Sequence, residues 1–195
     1  MRICKAHLEN IPGNPYSQSR NHGTPMLDRE THDAYDLRTW REKCTTNADG
    51  QVCIPGMALK QCIDTAAYKL GVKVPGRRAT YKTFFTSGLI CNGPVPIANG
   101  RAITPADAEE AMLYVNADGV RGSNKRVWRR FPVFPKWHGV AELTIVDDIL
   151  TQDVVEHHVK TAGWIVGIGR FRAEKGGTNG RFRVTRFEWQ DLEIA

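Results

Sequence analysis

Residues 140–168 read VAELTIVDDILTQDVVEHHVKTAGWIVGI, and their period changes in mid-course. Val140 to Val146 alternates as a half-buried strand does. Asp147 and Asp148 close the strand, and Thr151 stands where a helix N-cap belongs. Val154, Val155, His158, Val159 and Ala162 then recur at helical spacing and predict the buried face of a long helix. Gly163 reads as its stop, and Trp164 to Ile168 as a short buried strand.

The same grammar extends upstream. In VCIPGMALKQCIDTAAYKLG (52–71), Leu59, Cys62, Ile63, Ala66, Ala67 and Leu70 predict a helix over 57–70, with Gly71 as its C-terminal cap. Residues 2–11 read as a first strand, 79–91 as β-rich, and 181–189 (RFRVTRFEW) as a strand with one wet face. Thr104-Pro105-Ala106-Asp107 has the pattern of a helix start, with a short helix to 113. Residues 114–130 look irregular and basic. Some 40 residues, 12–50, carry little periodicity and suggest a functional excursion anchored by Tyr35, Leu37 and Trp40. The expected architecture is α+β, a ferredoxin-like (RRM-like) βαββαβ core in one domain, 1–195. It carries two long insertions: a loop or thumb at 12–50, and a second, basic one at 92–135.

Hydrophobic residues make up 41% of the chain, enough for a core, and the net charge of +6 suits a polyanionic partner. No apolar run reaches the ~20 residues of a membrane span. The opening MRICKAHLENIPG lacks a signal-peptide core, so a cytoplasmic protein is expected. Cys4, Cys44, Cys53, Cys62 and Cys91 are odd in number and lack zinc-knuckle spacing, so free thiols and no metal are expected. Cys62 falls on the apolar stripe of its helix.

Basic residues concentrate in two places. GIGRFRAEKGGTNGRFRVTRF (167–187) interleaves five glycines with Arg170, Arg172, Lys175, Arg181, Arg183 and Arg186. Gly176, Gly177 and Gly180 would shape a loop whose arginine forks match phosphate geometry. The second cluster is RGSNKRVWRRFPVFPKWH (121–138). Here Arg121, Lys125, Arg126 and Arg129 surround Trp128, the combination of cations and stacking ring found in single-strand binders. Phe134 reads as core. Lys60, one turn into the first helix, lies where helix N–H groups and a lysine together favour phosphate.

Two of these motifs resemble one family. VCIPGMALKQCIDTAAYKLG is similar to the "IPG-x-x-LK" helix start of the repeat-associated RNA-binding (RAMP) superfamily, through Ile54, Pro55, Gly56, Leu59 and Lys60. The tail from Gly163 to Val184 resembles that superfamily's C-terminal glycine-rich loop. Met57 and Ala58 depart from the small residues often found after the IPG. The resemblance implies a modified RNA-recognition fold whose subunits stack along a guide RNA in CRISPR surveillance complexes, or a phage-borne or standalone relative. Its implied partners are single-stranded RNA or DNA, further copies of the chain in a filament or arc, and other ribonucleoprotein subunits.

Enzymatic signals are sparse. Some RAMP subunits cut RNA with an aspartate in an early loop and a divalent metal, which would fall on Asp28, Asp33 or Asp36. His22 and His32 are candidates for a general base. The chain has no P-loop, H-E-x-x-H or nucleophile elbow. The expectation is therefore binding without catalysis. Metal-dependent RNA cleavage is one rival reading. Another is a phage protein that blocks a defence complex through protein contacts.

Overall fold

A computed structural model describes residues 1–117 and 125–192. The chain is mixed α+β with antiparallel sheets. Strand β1 (Arg2–Asn10) leads through the first excursion to β2 (Tyr16–Ser17), helix α1 (His32–Thr39), a 3-10 turn (Trp40–Lys43) and β3 (Cys53–Ile54). Then come α2 (Gly56–Leu70), α3 (Tyr81–Gly88), β4 (Leu89–Cys91), β5 (Val95–Pro96), β6 (Glu109–Asn116) and β7 (Arg126–Phe134). The chain closes with β8 (His138–Ile145), α4 (Gln152–Ile165) and β9 (Phe182–Asp191).

The main sheet runs β4-β8-β1-β9, all antiparallel. Alternation along its strands separates the two faces. Cys4, Ala6 and Leu8 of β1 and Ala141, Leu143 and Ile145 of β8 are buried with Leu59, Ile63 and Ala66 of α2 and Val155, Val159 and Ala162 of α4. The opposite face carries Lys5, His7 and Glu9 against His138, Val140 and Glu142, with no Phe, Tyr or Trp at these positions. A second sheet, β2-β7-β6, is built from the two excursions. No described helix is long and apolar enough to cross a membrane.

Both long helices stand where the sequence places them. Gly71 caps α2 in the left-handed conformation, and His158 is buried on α4. Gly163, however, does not stop α4. A Cβ there would meet the Phe182 carbonyl oxygen at 2.1 Å, so this glycine lets helix and strand β9 approach. Accordingly 164–168 is no strand: the helix runs to Ile165, and Val166 N–H donates to Ala162 O at 3.1 Å.

Three other stretches differ from expectation. Residues 79–91 are mostly helix, because Tyr81, Phe85 and Gly88 share one buried face at helical spacing. Thr104 and Asp107 form the expected capping box, yet it holds only one 3-10 turn, Pro105–Asp107. Strand β6 follows, drawn out by pairing with β7 from Glu109↔Val133 to Asn116↔Arg126. The described ends of the segment read as irregular are thus mostly paired antiparallel strands, the two arms of a hairpin. In the first excursion Trp40 is buried as expected, whereas Leu37 is exposed. All five cysteines are free thiols. Burial pushes Cys4, Cys44, Cys62 and Cys91 up to about 12, so these thiols stay protonated near neutrality.

Candidate nucleic-acid interface

Where the first excursion meets the hairpin, the backbone is stitched tightly. Gln18 is buried and fully used: its amide N–H donates to Tyr16 Oη and Cys53 O, both at 2.7 Å, and its Oε1 accepts from Thr45 N–H at 2.7 Å. Tyr16 and Ser17 pair with Phe134 and Val133 of β7. The 3-10 turn delivers Lys43 inward, where its ammonium donates to Asp36 Oδ1 at 2.5 Å and to Arg130 O at 2.7 Å. Asp36 Oδ2 also accepts from Arg130 N–H at 2.7 Å. A buried ion pair so completed by hydrogen bonds welds α1 to the hairpin.

The glycine-rich segment is a compact loop docked on β2. Arg170 N–H donates to Ser17 O and Gly180 N–H to Pro15 O, each at 2.8 Å. A Cβ on Gly177 or Gly180 would meet the carbonyl oxygen of Phe171 or Ile168 at 1.8 Å, while Gly176, with φ +80°, faces open space. The first two glycines therefore fold the loop onto itself. Their bare backbones face other parts of the loop, not a ligand.

Three cavities surround this junction, the middle one a groove rich in cations. The middle one, about 350 Å³, is lined by Arg20, Lys43, Arg129, Arg170, His22 and Phe131 among others. Through Arg20 and His22 it joins a cavity of about 550 Å³ that holds Arg41 and Glu42. The third, also about 550 Å³, holds Lys125, Arg126, Trp128, Tyr114, Asp33 and Asp36; Trp128 and Tyr114 alternate with Arg129 and Val115 and so face the other side of the hairpin. The rings of Tyr114 and Trp128, cross-strand neighbours on the hairpin, lie 5.3 Å apart and are 53% and 60% exposed.

Arg170 is the most constrained cation in the groove. Its guanidinium lies over Phe131 at 3.9 Å and over Phe171 at 4.7 Å. Its Nε is buried without a hydrogen-bond partner. Burial first, and then the charge of Arg129, lower its pKa, though an arginine remains protonated. Burial likewise lowers Lys43, against the pull of Asp36.

Of the expected ligands, Arg129 and Arg170 line the middle cavity, and Lys125, Arg126 and Trp128 the hairpin-side one. Several other expected phosphate ligands are engaged elsewhere. Lys60 is held by Asp64 and donates to Phe85 O at 3.1 Å and Thr86 O at 3.3 Å, so it caps the end of α3. Arg172 and Lys175 share Glu174. Arg181 donates to Trp164 O at 3.0 Å and Asn14 Oδ1 at 3.3 Å. Arg183 pairs with Glu9 at 2.9 Å on the sheet face away from the helices. Arg121 lies outside the described residues.

Arg20, Arg41, Lys43 and Tyr114 line these cavities and were not among the expected ligands. Met112 to Val115 show no alternation that could have singled out Tyr114. Nothing in the sequence tells Arg20 from its exposed neighbours. Asp33 pairs with Arg130 at 2.8 Å, and Asp28 is fully exposed beside Arg29. His22 is part-buried, with Nδ1 3.4 Å from Glu42, while His32 lines the hairpin-side cavity. Among the described residues no group of three or more His, Cys, Asp or Glu is placed to hold a metal ion. No protein-family model matches the chain, and no curated protein matches it either.

Proposed function

We propose that this protein binds single-stranded nucleic acid, RNA in preference to DNA, through the cations gathered around Arg170 and the exposed rings of the hairpin. The observation that carries the reading is the middle cavity, where four cations converge and no carboxylate lines the wall among the described residues. Cations held together in a recess attract an anion, and the exposed ring pair on the other face of the same hairpin offers a base a stacking surface. An RNA-recognition fold usually stacks bases on aromatic residues of its sheet. Here the β1 and β8 positions facing away from the helices hold no such rings, and the hairpin supplies them instead.

The strand order β4-β8-β1-β9, with α2 and α4 as the covering helices, supports a ferredoxin-like reading of the core. That order also agrees with a RAMP-like backbone subunit, or a phage-borne relative, assembling side by side on its strand. Binding is mainly to phosphates, so sequence preference is small.

The test is fluorescence anisotropy with labelled RNA and DNA oligomers, alongside light scattering. Affinity should fall with salt, with a slope of about −0.7 per neutralised phosphate. Trp128→Ala should weaken binding by roughly 1–3 kcal/mol, the value of one stacked base, without loss of fold. A flat salt response, or no binding, would overturn the reading and favour contacts with a protein.

A further inference from the structure

Resting on the strand-binding reading above, we infer that the middle cavity seats a terminal phosphate, the monoester at one end of a strand, in preference to an internal phosphodiester. The distribution of charge along the groove leads there. Each flanking cavity mixes cations with acids: Glu42 in one, Asp33 and Asp36 in the other. The middle cavity has no acid in its described lining. Of its cations only Lys43 has a counter-charge, Asp36. Arg20, Arg129 and Arg170 form no ion pair with a described residue.

An internal diester brings one negative charge to such a seat. A monoester brings about 1.5 to 2 at neutral pH, with three strong acceptor oxygens. The three arginines are therefore under-matched by a diester and well matched by a chain end. The charge of Arg129 disfavours the charged forms of its neighbours Arg170 and Lys43.

Arg170 is built to hold such a group. Its ring contacts and its backbone bond to Ser17 fix the side chain from both ends. Phe171, one of the two rings, sits at φ +54°, a left-handed conformation that costs a bulky residue energy and is kept where the surroundings impose it. A guanidinium immobilised in this way loses little further entropy on making a bidentate contact. At about 350 Å³ the cavity lies at the small end of ligand pockets, suited to a nucleotide end.

The test compares one short RNA in three forms, internally labelled: hydroxyl at both ends, phosphate at the 5′ end, and phosphate at the 3′ end. One phosphorylated form should bind about tenfold tighter than the hydroxyl form, as expected for charge-assisted bonds to a second negative charge. Arg170→Gln should shrink that preference to about twofold or less, with weaker loss for the hydroxyl form. Arg20→Gln, at an exposed position, repeats the test should Arg170→Gln lower the melting temperature. Equal affinity for all three forms overturns the inference and leaves strand binding standing. So does a preference that survives both variants. Failure of every form to bind overturns the strand reading itself.

Discussion

The guanidinium of Arg170 stands 3.9 Å from the centroid of the Phe131 ring, which joins the glycine-rich loop to the hairpin where no backbone hydrogen bond between described residues does. Phe131 is buried, and Lys43 reaches its ring as well, at 4.9 Å. Two cations thus share one aromatic floor. The arrangement is favourable only while the ring quadrupole offsets their repulsion, and an incoming anion would relieve what remains.

Arg129 and Arg170 should therefore act together on the strand backbone. The double variant Arg129→Ala/Arg170→Ala is expected to lower the magnitude of the salt slope by about 1.4, the worth of two neutralised phosphate charges. Anisotropy titrations at a series of salt concentrations measure it. An unchanged slope would place the strand elsewhere.

Asp36 is a structural acid in this fold. Its removal leaves the Lys43 ammonium buried without a counter-charge and the Arg130 N–H without an acceptor. Asp36→Ala should cost about 3–5 kcal/mol in denaturant unfolding. Asp33→Ala should cost under about 1 kcal/mol, since that side chain is 72% exposed. Similar losses for the two would contradict the weld between α1 and the hairpin.

His158 should make the protein acid-sensitive. Its Nδ1 bonds Val154 O at 2.7 Å, its Nε2 is buried without a partner, and Phe85 and Tyr81 flank the ring. Burial, chiefly, lowers its pKa from 6.5. Below about pH 6.5 the unfolded chain binds a proton that the folded one resists, so stability is full above that pH and declines as pH falls toward the lower folded value. His7 is also lowered and contributes with the same sign. Melting temperatures across this range should fall with acid in the parent and fall less in His158→Leu; parallel curves would count against His158.

Two glycines of one loop should respond differently to alanine. Gly176→Ala meets no neighbour and pays only for its left-handed backbone, about 1–2 kcal/mol. Gly180→Ala adds a clash with the Ile168 carbonyl. It should destabilise the loop further and weaken strand binding by displacing Arg170. Calorimetry and anisotropy on both variants decide this, and equal behaviour would argue against self-packing as the role of Gly180.

Much of the framework was legible. Helices α2 and α4 announce themselves because a buried helical face must repeat every three to four residues, and Leu59–Cys62–Ile63–Ala66 does so. Phe134 and Cys62 are core, as read. The hairpin was hidden because Met112, Leu113, Tyr114 and Val115 do not alternate in hydrophobicity: β6 is a largely exposed edge strand. Local cues misled where a close approach was at stake. Gly163 resembles a helix stop, yet it is the contact point with Phe182.

The candidate site divides along the same line. The sequence by itself determined that Arg129 and Arg170 sit in basic stretches, each beside an aromatic residue, because residue type and neighbourhood are local facts. Which cations stay available was settled by tertiary structure alone. Lys60, Arg172, Lys175, Arg181 and Arg183 meet partners, while Arg20 comes to lie beside Arg129 and Arg170. The physical reason is that charge pairing depends on distance in space. Folding closes the separation between residues 20, 129 and 170, which the chain itself keeps far apart.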